Sequence, residues 1–469
     1  METIVIGHRN PDMDSICCAI AYAELKKLTG HTNVVAARTG PTNQRIDYVL
    51  NRFGFDAPTL ITDVSPKVRD VMQPNVISVR KDAPIYEAIH VIDQRRLRGL
   101  PVVDHDHRLL GLLSAYKITH YLFPPRDEAA SARIVKASQA DIVATFGGSL
   151  ITGELGTEPL EQLLMVGAMA QDSFIPRLHR YRDRRVILFV GDRPHIQDLA
   201  IQEKVDAIIV TGNLGVLDSI RDAAKAANVT LVSSPHDTAT TVLLARGAVR
   251  VEEMVQTQFR SFHMDLPLEE AKRTAAESSQ FSFPVIDDSG KLVGILSKSD
   301  FIKPIPRQLI LVDHNELTQA VRGADEVPII EILDHHKLGG FATHTPILFW
   351  NNPVGSTSSI IALCFKNAGI PIPPKIAGLL MAGLISDTLH LHSPTTTNVD
   401  RQLLKELSDI TGVDSVTLAK EIFSVGSPLL TMTPEQAIGA DAKIYEEKGF
   451  SFQVAQIEEL SLEHLQDKQ

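Results

Sequence analysis

Residues 7–15 read GHRNPDMDS, directly after a short apolar run, Ile4 to Ile6. An apolar run closed by Gly7 and Pro11 predicts a buried strand ending in a turn, and open α/β sheets collect their ligands where parallel strands end. Three candidate metal ligands, His8, Asp12 and Asp14, therefore arrive at a position where chemistry concentrates. The same design recurs downstream. The apolar run 309–312 ends in Asp313-His314-Asn315-Glu316, and the run 327–333 ends in Asp334-His335-His336. A further apolar stretch, 377–385, reads as a buried helix delivering Asp387 to its C-terminal end. Taken singly, any of these residues suits a turn or a solvated loop end. Crowded together, the carboxylates would repel and raise one another's pKa, a conflict that divalent cations remove. Two cations are expected, because there are more ligands than a single site accommodates.

Composition sets the class. The chain has 469 residues, enough for about three domains. A net charge of −11 argues against broad binding to nucleic acid or anionic membranes, which require a basic face. Three cysteines, two of them the adjacent Cys17 and Cys18, form no disulfide framework and no zinc-type spacing, in keeping with a reducing cytoplasm. No apolar run approaches the length of a membrane span, and the first strand leaves no room for a signal peptide.

Between the two halves of this pattern lies an internal repeat. Pro101-Val102-Val103-Asp104 and Gly111-Leu112-Leu113-Ser114 are answered by Pro284-Val285-Ile286-Asp287 and Gly294-Ile295-Leu296-Ser297. Each copy reads as a short strand, an amphipathic helix, a β-hairpin and a final helix. Each is too small to bury much core alone, so the two are expected to pair. They resemble CBS domains, over residues 64–122 and 247–305. The resemblance implies adenine-nucleotide binding, with Gly294, Ser297 and Asp300 in the second copy as the ribose-side contacts; the first copy has Lys117 where that family has the aspartate. The α/β segment 123–246 resembles a DRTGG domain through Gly191-Asp192-Arg193 and Thr211-Gly212, with Asn213 replacing the last glycine. It is read either as a ligand site or as a spacer adding dimer interface.

With that insert lifted out, GHRNPDMDS, VDHNE, DHH, PVGSTSS and ISDT…SPTTT together resemble the DHH superfamily, and in particular the family II, manganese-dependent inorganic pyrophosphatases. Met13 stands where threonine is usual and His392 where lysine is usual. The resemblance implies an α/β fold: a parallel-sheet DHH catalytic domain in two parts, 1–63 and 306–428, interrupted by the CBS pair and the DRTGG-like domain. The start of a C-terminal DHHA2-like α/β lobe would follow at 429–469. It implies that His8, Asp12 and Asp313 hold one Mn(II) or Co(II) ion and that Asp14, His335 and Asp387 hold a second, with Asp313 bridging. Mg(II) would accompany the substrate, inorganic diphosphate, which water splits into two orthophosphates. His336 would contact the bridging oxygen of diphosphate, and Lys443 a phosphate oxygen. AMP, ADP or a diadenosine polyphosphate would act as regulator of a cytoplasmic homodimer.

Two alternatives follow from the same residues. A DHH phosphodiesterase would share the metal ligands but carries a glycine-rich GGGH-type motif, which is absent here. A nucleotide sensor with weak or no turnover is the other. After Lys443 the sequence offers one strand, an acidic helical stretch and no Arg-Lys-Lys cluster of the kind that grips phosphate in family members, so very weak turnover by this 469-residue form is expected.

Overall fold

The computed structural model describes residues 1–128, 133–340, 342, 343, 345–425, 433, 442–447 and 450–455. The chain forms two compact units. One comprises Met1–Val71, Pro267–Glu270 and Phe301–Gln469, and the other Met72–Leu266 and Ala271–Asp300.

The first unit is built on a six-stranded sheet. Its first half supplies β1 (Glu2–Ile6), α1 (Met13–Leu28), β2 (Val34–Arg38), α2 (Gln44–Phe53) and β3 (Thr59–Leu60). Its second half supplies β4 (Arg307–Val312), β5 (Ile329–Asp334), β6 (Leu348–Asn351), α3 (Thr357–Asn367), α4 (Pro374–Thr388), α5 (Asn398–Thr411) and α6 (Ser415–Ser424). The strand order is β6-β5-β4-β1-β2-β3, and every pair is parallel. The α/β parallel-sheet architecture read from the sequence is the one observed. Strand order reverses between β1 and β4, where Ile6 stands in register with Leu311. That crevice at the carboxyl ends of the strands is where α/β sheets place ligands.

Both faces of the central strands are buried, which is why they read as unbroken apolar runs rather than alternating ones. Val5, Ile310, Val312 and Leu333 pack under α1, α3 and α4. Ile4, Ile6, Leu309, Leu311 and Ile332 pack on the other face against Val64, Ala320, Val321 and Val327. Helix α4 is apolar all round, with ten consecutive buried residues from Ile376 to Ile385, the pattern of a core helix.

Two glycines set how closely these layers approach. A side chain at Gly7 would collide with Ser15 Oγ at 1.8 Å, so only glycine lets the first turn of α1 fold back over the end of β1. At Gly383 in α4 an added Cβ would lie 2.3 Å from Ser358 Oγ and 2.6 Å from Asp14 Oδ1. Gly383→Ala is accordingly expected to destabilise the protein by about 1–3 kcal/mol, the usual cost of overpacking, and to displace Asp14. A denaturant midpoint equal to the parent's would count against this packing.

The second unit carries the repeat. One copy places Val79–Arg80, Gly99–Val103 and Leu109–Ser114 in a three-stranded sheet, and the other does the same with Phe262–His263, Ser282–Ile286 and Leu292–Ser297. The lead-in of each copy pairs with the hairpin of the other, Gln73 with Ile295 and Gln256 with Leu112. The first copy ends in the expected helix, Ala115–Leu122, whereas the second ends in a single 3-10 turn, Asp300–Ile302. Pro304 and Pro306 explain the difference, since proline cannot continue a helix and restricts the residue before it. Between the copies lies a six-stranded sheet in the order Ile134–Ala137, Leu160–Val166, Arg185–Val190, Ala207–Val210, Thr230–Ser233, Ser149–Thr152. Its four inner strands are parallel and its two outer strands antiparallel. Among the described residues no helix is long and apolar enough to cross a membrane.

Candidate metal centre

His8 lies two residues past the end of β1 and Asp313 one past the end of β4, so the parallel register sets them side by side. His8 Nε2 is 3.4 Å from Asp313 Oδ2 and 3.3 Å from Asp12 Oδ2. Asp12 is the N-cap of α1, its Oδ1 accepting from Ser15 N at 2.9 Å, which leaves Oδ2 for the centre. His335, directly after β5, places Nε2 3.6 Å from Asp313 Oδ1 and 3.5 Å from Asp387 Oδ2 at the end of α4. Its Nδ1 faces the Val354 carbonyl oxygen at 3.0 Å, which fixes the tautomer with the proton on Nδ1 and a lone pair on Nε2.

Two groups emerge whose ligand atoms all lie within 4.8 Å of one another: His8, Asp12 and Asp313, and Asp14, Asp313, His335 and Asp387. Asp313 belongs to both. The six residues expected as ligands are thus brought together. His336 joins Asp313 and His335 in a third such group. The donor set fits cations on a further observation. Asp313 Oδ2 and His335 Nε2 are buried with no hydrogen-bond partner, and buried polar atoms of this kind call for one.

Electrostatics agree. Burial drives Asp313 and Asp387 well above the usual carboxylate range, and Asp14 and Asp12 drive them further. For His8, burial opposes the charged form, but the close Asp12 and Asp313 carboxylates outweigh it and push the imidazole up to about 10. Without cations, protons would have to occupy this site. The backbone is also strained there. Asp313 adopts φ 64°, and Leu389, His390 and Leu391, just after Asp387, all have positive φ. Non-glycine residues in this region cluster at functional sites.

The ligands rest on a second layer, from the quoted stretches PVGSTSS, VDHNE and DHH, whose supporting role the sequence did not show. Asp14, fully buried, accepts from Thr357 N at 2.7 Å, from Ser358 N at 3.1 Å and from Ser358 Oγ, so it sits on the N-terminus of α3 where a carboxylate is favoured. Thr357 Oγ1 donates to Asp313 Oδ1 at 3.0 Å. Asp334, also fully buried, accepts at Oδ1 from His336 Nδ1 at 2.8 Å and from the backbone N–H of His335 and His336. Asn315 donates to its other oxygen. His336 is half-exposed, and the Asp334 hydrogen bond, opposed by burial, raises its pKa. The buried His314 donates from Nδ1 to Val312 O, and burial lowers its pKa to about 4.

The remaining candidates lie elsewhere. In the second unit Asp300 is buried and accepts from Ser297 N and Ser297 Oγ, both at 2.6 Å, and from Gln73 Nε2 at 3.3 Å. Gly294 faces Met72 so closely that a Cβ would lie 2.4 Å from its sulfur. Lys443 falls in the strand Ala442–Glu447, which pairs antiparallel with Phe450–Ala455; its side chain and the stretch 456–469 are outside the described residues.

Comparison with known proteins finds a family and several relatives. Residues 2–384 match the family model described as "DHH family, N-terminal domain". A cobalt-dependent inorganic pyrophosphatase of Clostridium perfringens is 33% identical over 98% of this chain and 83% of its own length. A probable manganese-dependent inorganic pyrophosphatase of Thermotoga maritima is 30% identical over 97% of this chain and 82% of its own. A crystal structure of the CBS and DRTGG domains of the regulatory region of the Clostridium perfringens pyrophosphatase, complexed with its activator diadenosine tetraphosphate, covers 50% of this chain and 99% of that one, with 26% identity and a TM-score of 0.42.

Proposed function

Because the chain belongs to the DHH family, and within it to the metal-dependent inorganic pyrophosphatases, we propose that it hydrolyses inorganic diphosphate to two orthophosphates at the centre around Asp313. The observation that carries this reading is the Asp313 carboxylate shared by two ligand groups, whose own Oδ2 is buried and unpartnered, as is the neighbouring His335 Nε2. His8, Asp12 and Asp313 are assigned to one ion, and Asp14, His335 and Asp387 to the second, Asp313 bridging. The mixture of imidazole and carboxylate favours Mn(II) or Co(II), with Mg(II) accompanying the substrate. Bound there, two such ions supply an activated water and neutralise the charge of the diphosphate.

The chain's own groups do the rest. Asp334 accepts from His336 Nδ1, and this hydrogen bond favours the imidazolium form, in which Nε2 also carries a proton that can pass to the leaving phosphate. Lys443 is assigned to a phosphate oxygen on its sequence context alone. Orthophosphate release from diphosphate in Mn(II), measured beside cleavage of a short oligonucleotide, tests the assignment. Release from diphosphate supports it, and cleavage of the phosphodiester instead would replace it with the phosphodiesterase reading.

The inserted unit is assigned to regulation. Residues 64–122 and 247–305 are proposed as a CBS pair, 123–246 as a DRTGG-like domain, and adenine nucleotides as the ligand of a cytoplasmic homodimer. The reciprocal pairing of Gln73 with Ile295 and of Gln256 with Leu112 favours a single module over two independent ones. Binding a ribose at Gly294, Ser297 and Asp300 requires Asp300 to exchange its bonds to Ser297 and Gln73 for ligand hydroxyls. Regulation follows only if the two states bind nucleotide differently. Asp300→Ala is expected to weaken binding of AMP or ADP several-fold at unchanged metal content; calorimetry giving parental affinity would remove Asp300 from the site.

A further inference from the structure

Asp400 has no part in the assignments above, yet it accepts four hydrogen bonds, as many as Asp14 or Asp334. It lies in the first turn of α5, directly after SPTTT, and is fully buried. Oδ2 accepts from Thr397 N at 2.7 Å, which with the Asp400 N–H donated to Thr397 Oγ1 makes the capping box of α5, and it also accepts from Thr397 Oγ1 at 2.6 Å. It also accepts from Gly355 N at 2.9 Å, and Oδ1 accepts from Ser359 Oγ at 2.6 Å. These last two donors contribute nothing to capping α5. They lie at the two ends of the turn that opens α3, and the residues between them, Thr357 and Ser358, are the ones that donate to Asp14 and Asp313. Burying a carboxylate is costly unless its bonds are complete, and a cap at the surface would avoid that cost.

We infer that Asp400 is a positioning residue for the metal centre: by gripping Gly355 and Ser359 it fixes the turn whose Thr357 and Ser358 orient the Asp14 and Asp313 carboxylates. This rests on the reading of those two aspartates as ligands. It joins the SPTTT segment to both ion positions through four residues without touching either ion. Outer partners of this kind typically change metal affinity by about 10–100-fold when removed.

The two arms of Asp400 separate in experiment. Ser359→Ala removes the side-chain half of the grip and leaves the Gly355 N–H bond and the cap, whereas Thr397→Ala weakens the cap and leaves the grip. Mn(II) affinity by calorimetry and thermal midpoint by circular dichroism are read on both, and on Asp400→Ala and Asp400→Asn. Ser359→Ala is expected to bind Mn(II) about 10-fold more weakly with a small change in midpoint. Thr397→Ala is expected to lower the midpoint at parental affinity. Asp400→Ala is expected to do both. Asp400→Asn, whose amide still accepts from Gly355 and donates to the Ser359 hydroxyl, is expected to restore most of the affinity lost in Asp400→Ala. Should Asp400→Ala fail to fold, the Ser359 and Thr397 variants decide alone. Parental affinity in Ser359→Ala, or an equal loss in Thr397→Ala, overturns the inference while leaving the centre intact. A parent chain that binds no Mn(II) overturns the reading of the centre itself, and this inference with it.

Discussion

Asp313→Asn is expected to lower diphosphate hydrolysis in Mn(II) by on the order of 10³-fold or more while leaving the fold in place. Each oxygen of Asp313 faces a different ligand group. Oδ2 faces His8 Nε2 at 3.4 Å, and Oδ1 faces His335 Nε2 at 3.6 Å and accepts from Thr357 Oγ1. An amide offers one oxygen and an NH2 group with two donors, so it satisfies one ion position and turns hydrogens toward the other. The loss therefore falls on the bridge, which no neighbouring group replaces. Stability should move the other way. Metal-free Asp313 is a buried acid pressed by Asp14 and Asp12, and removing it relieves that strain, so the variant's midpoint without metal should equal or exceed the parent's. The gain in midpoint on adding Mn(II) should shrink. Near-parental turnover by the variant would show that Asp313 bridges nothing.

The strand-end ligands were legible because their signal is local. A buried parallel strand is an unbroken apolar run, and the residue that follows it must face the crevice, so His8, Asp313 and His335 could be read from the runs that precede them. That β1 lies beside β4, some 300 residues away across an insert, follows from no spacing; the family resemblance supplied it. The supporting layer was less legible for the same reason. Thr357 and Ser358 reach Asp14 across more than 340 residues, and Asp400 reaches Gly355 across 45. The available hint was that Gly-Ser-Thr-Ser-Ser opens a helical run, and a helix N-terminus rich in hydroxyls attracts a carboxylate. The repeat led to one wrong detail, a final helix in the second copy, where Pro304 and Pro306 had the deciding influence.

Chelation is expected to abolish activity, Mn(II) or Co(II) to restore it better than Mg(II) alone, and reloading to expel protons. In the metal-free centre His8 holds its proton with a pKa of about 10, above its ordinary 6.5. Its contribution to stability is therefore complete below about 6.5 and is lost as pH rises through about 10. Asp313 and Asp387, raised well above the ordinary 3.8, favour the folded state while protonated and burden it as they ionise, so they too cost stability as pH rises from the carboxylate range. All three groups make the metal-free protein less stable toward alkaline pH. A cation needs His8 neutral and both carboxylates ionised, so binding must release these protons, and affinity must rise with pH across the range from 6.5 to about 10 in which His8 would otherwise keep its own. Calorimetry at pH 7 in buffers of different ionisation enthalpy should show roughly one or more protons released per chain. Free Mn(II) at about 1,000 times its Kd adds about 4 kcal/mol to the folded state, which for a unit of this size raises the midpoint by roughly 10 °C. The rise should be larger at pH 8 than at pH 6, because the metal-free reference weakens as pH increases while the loaded centre has no proton left to lose. A midpoint gain that is the same at both pH values, with no proton released on binding, would mean that the cations bind away from His8, Asp313 and Asp387.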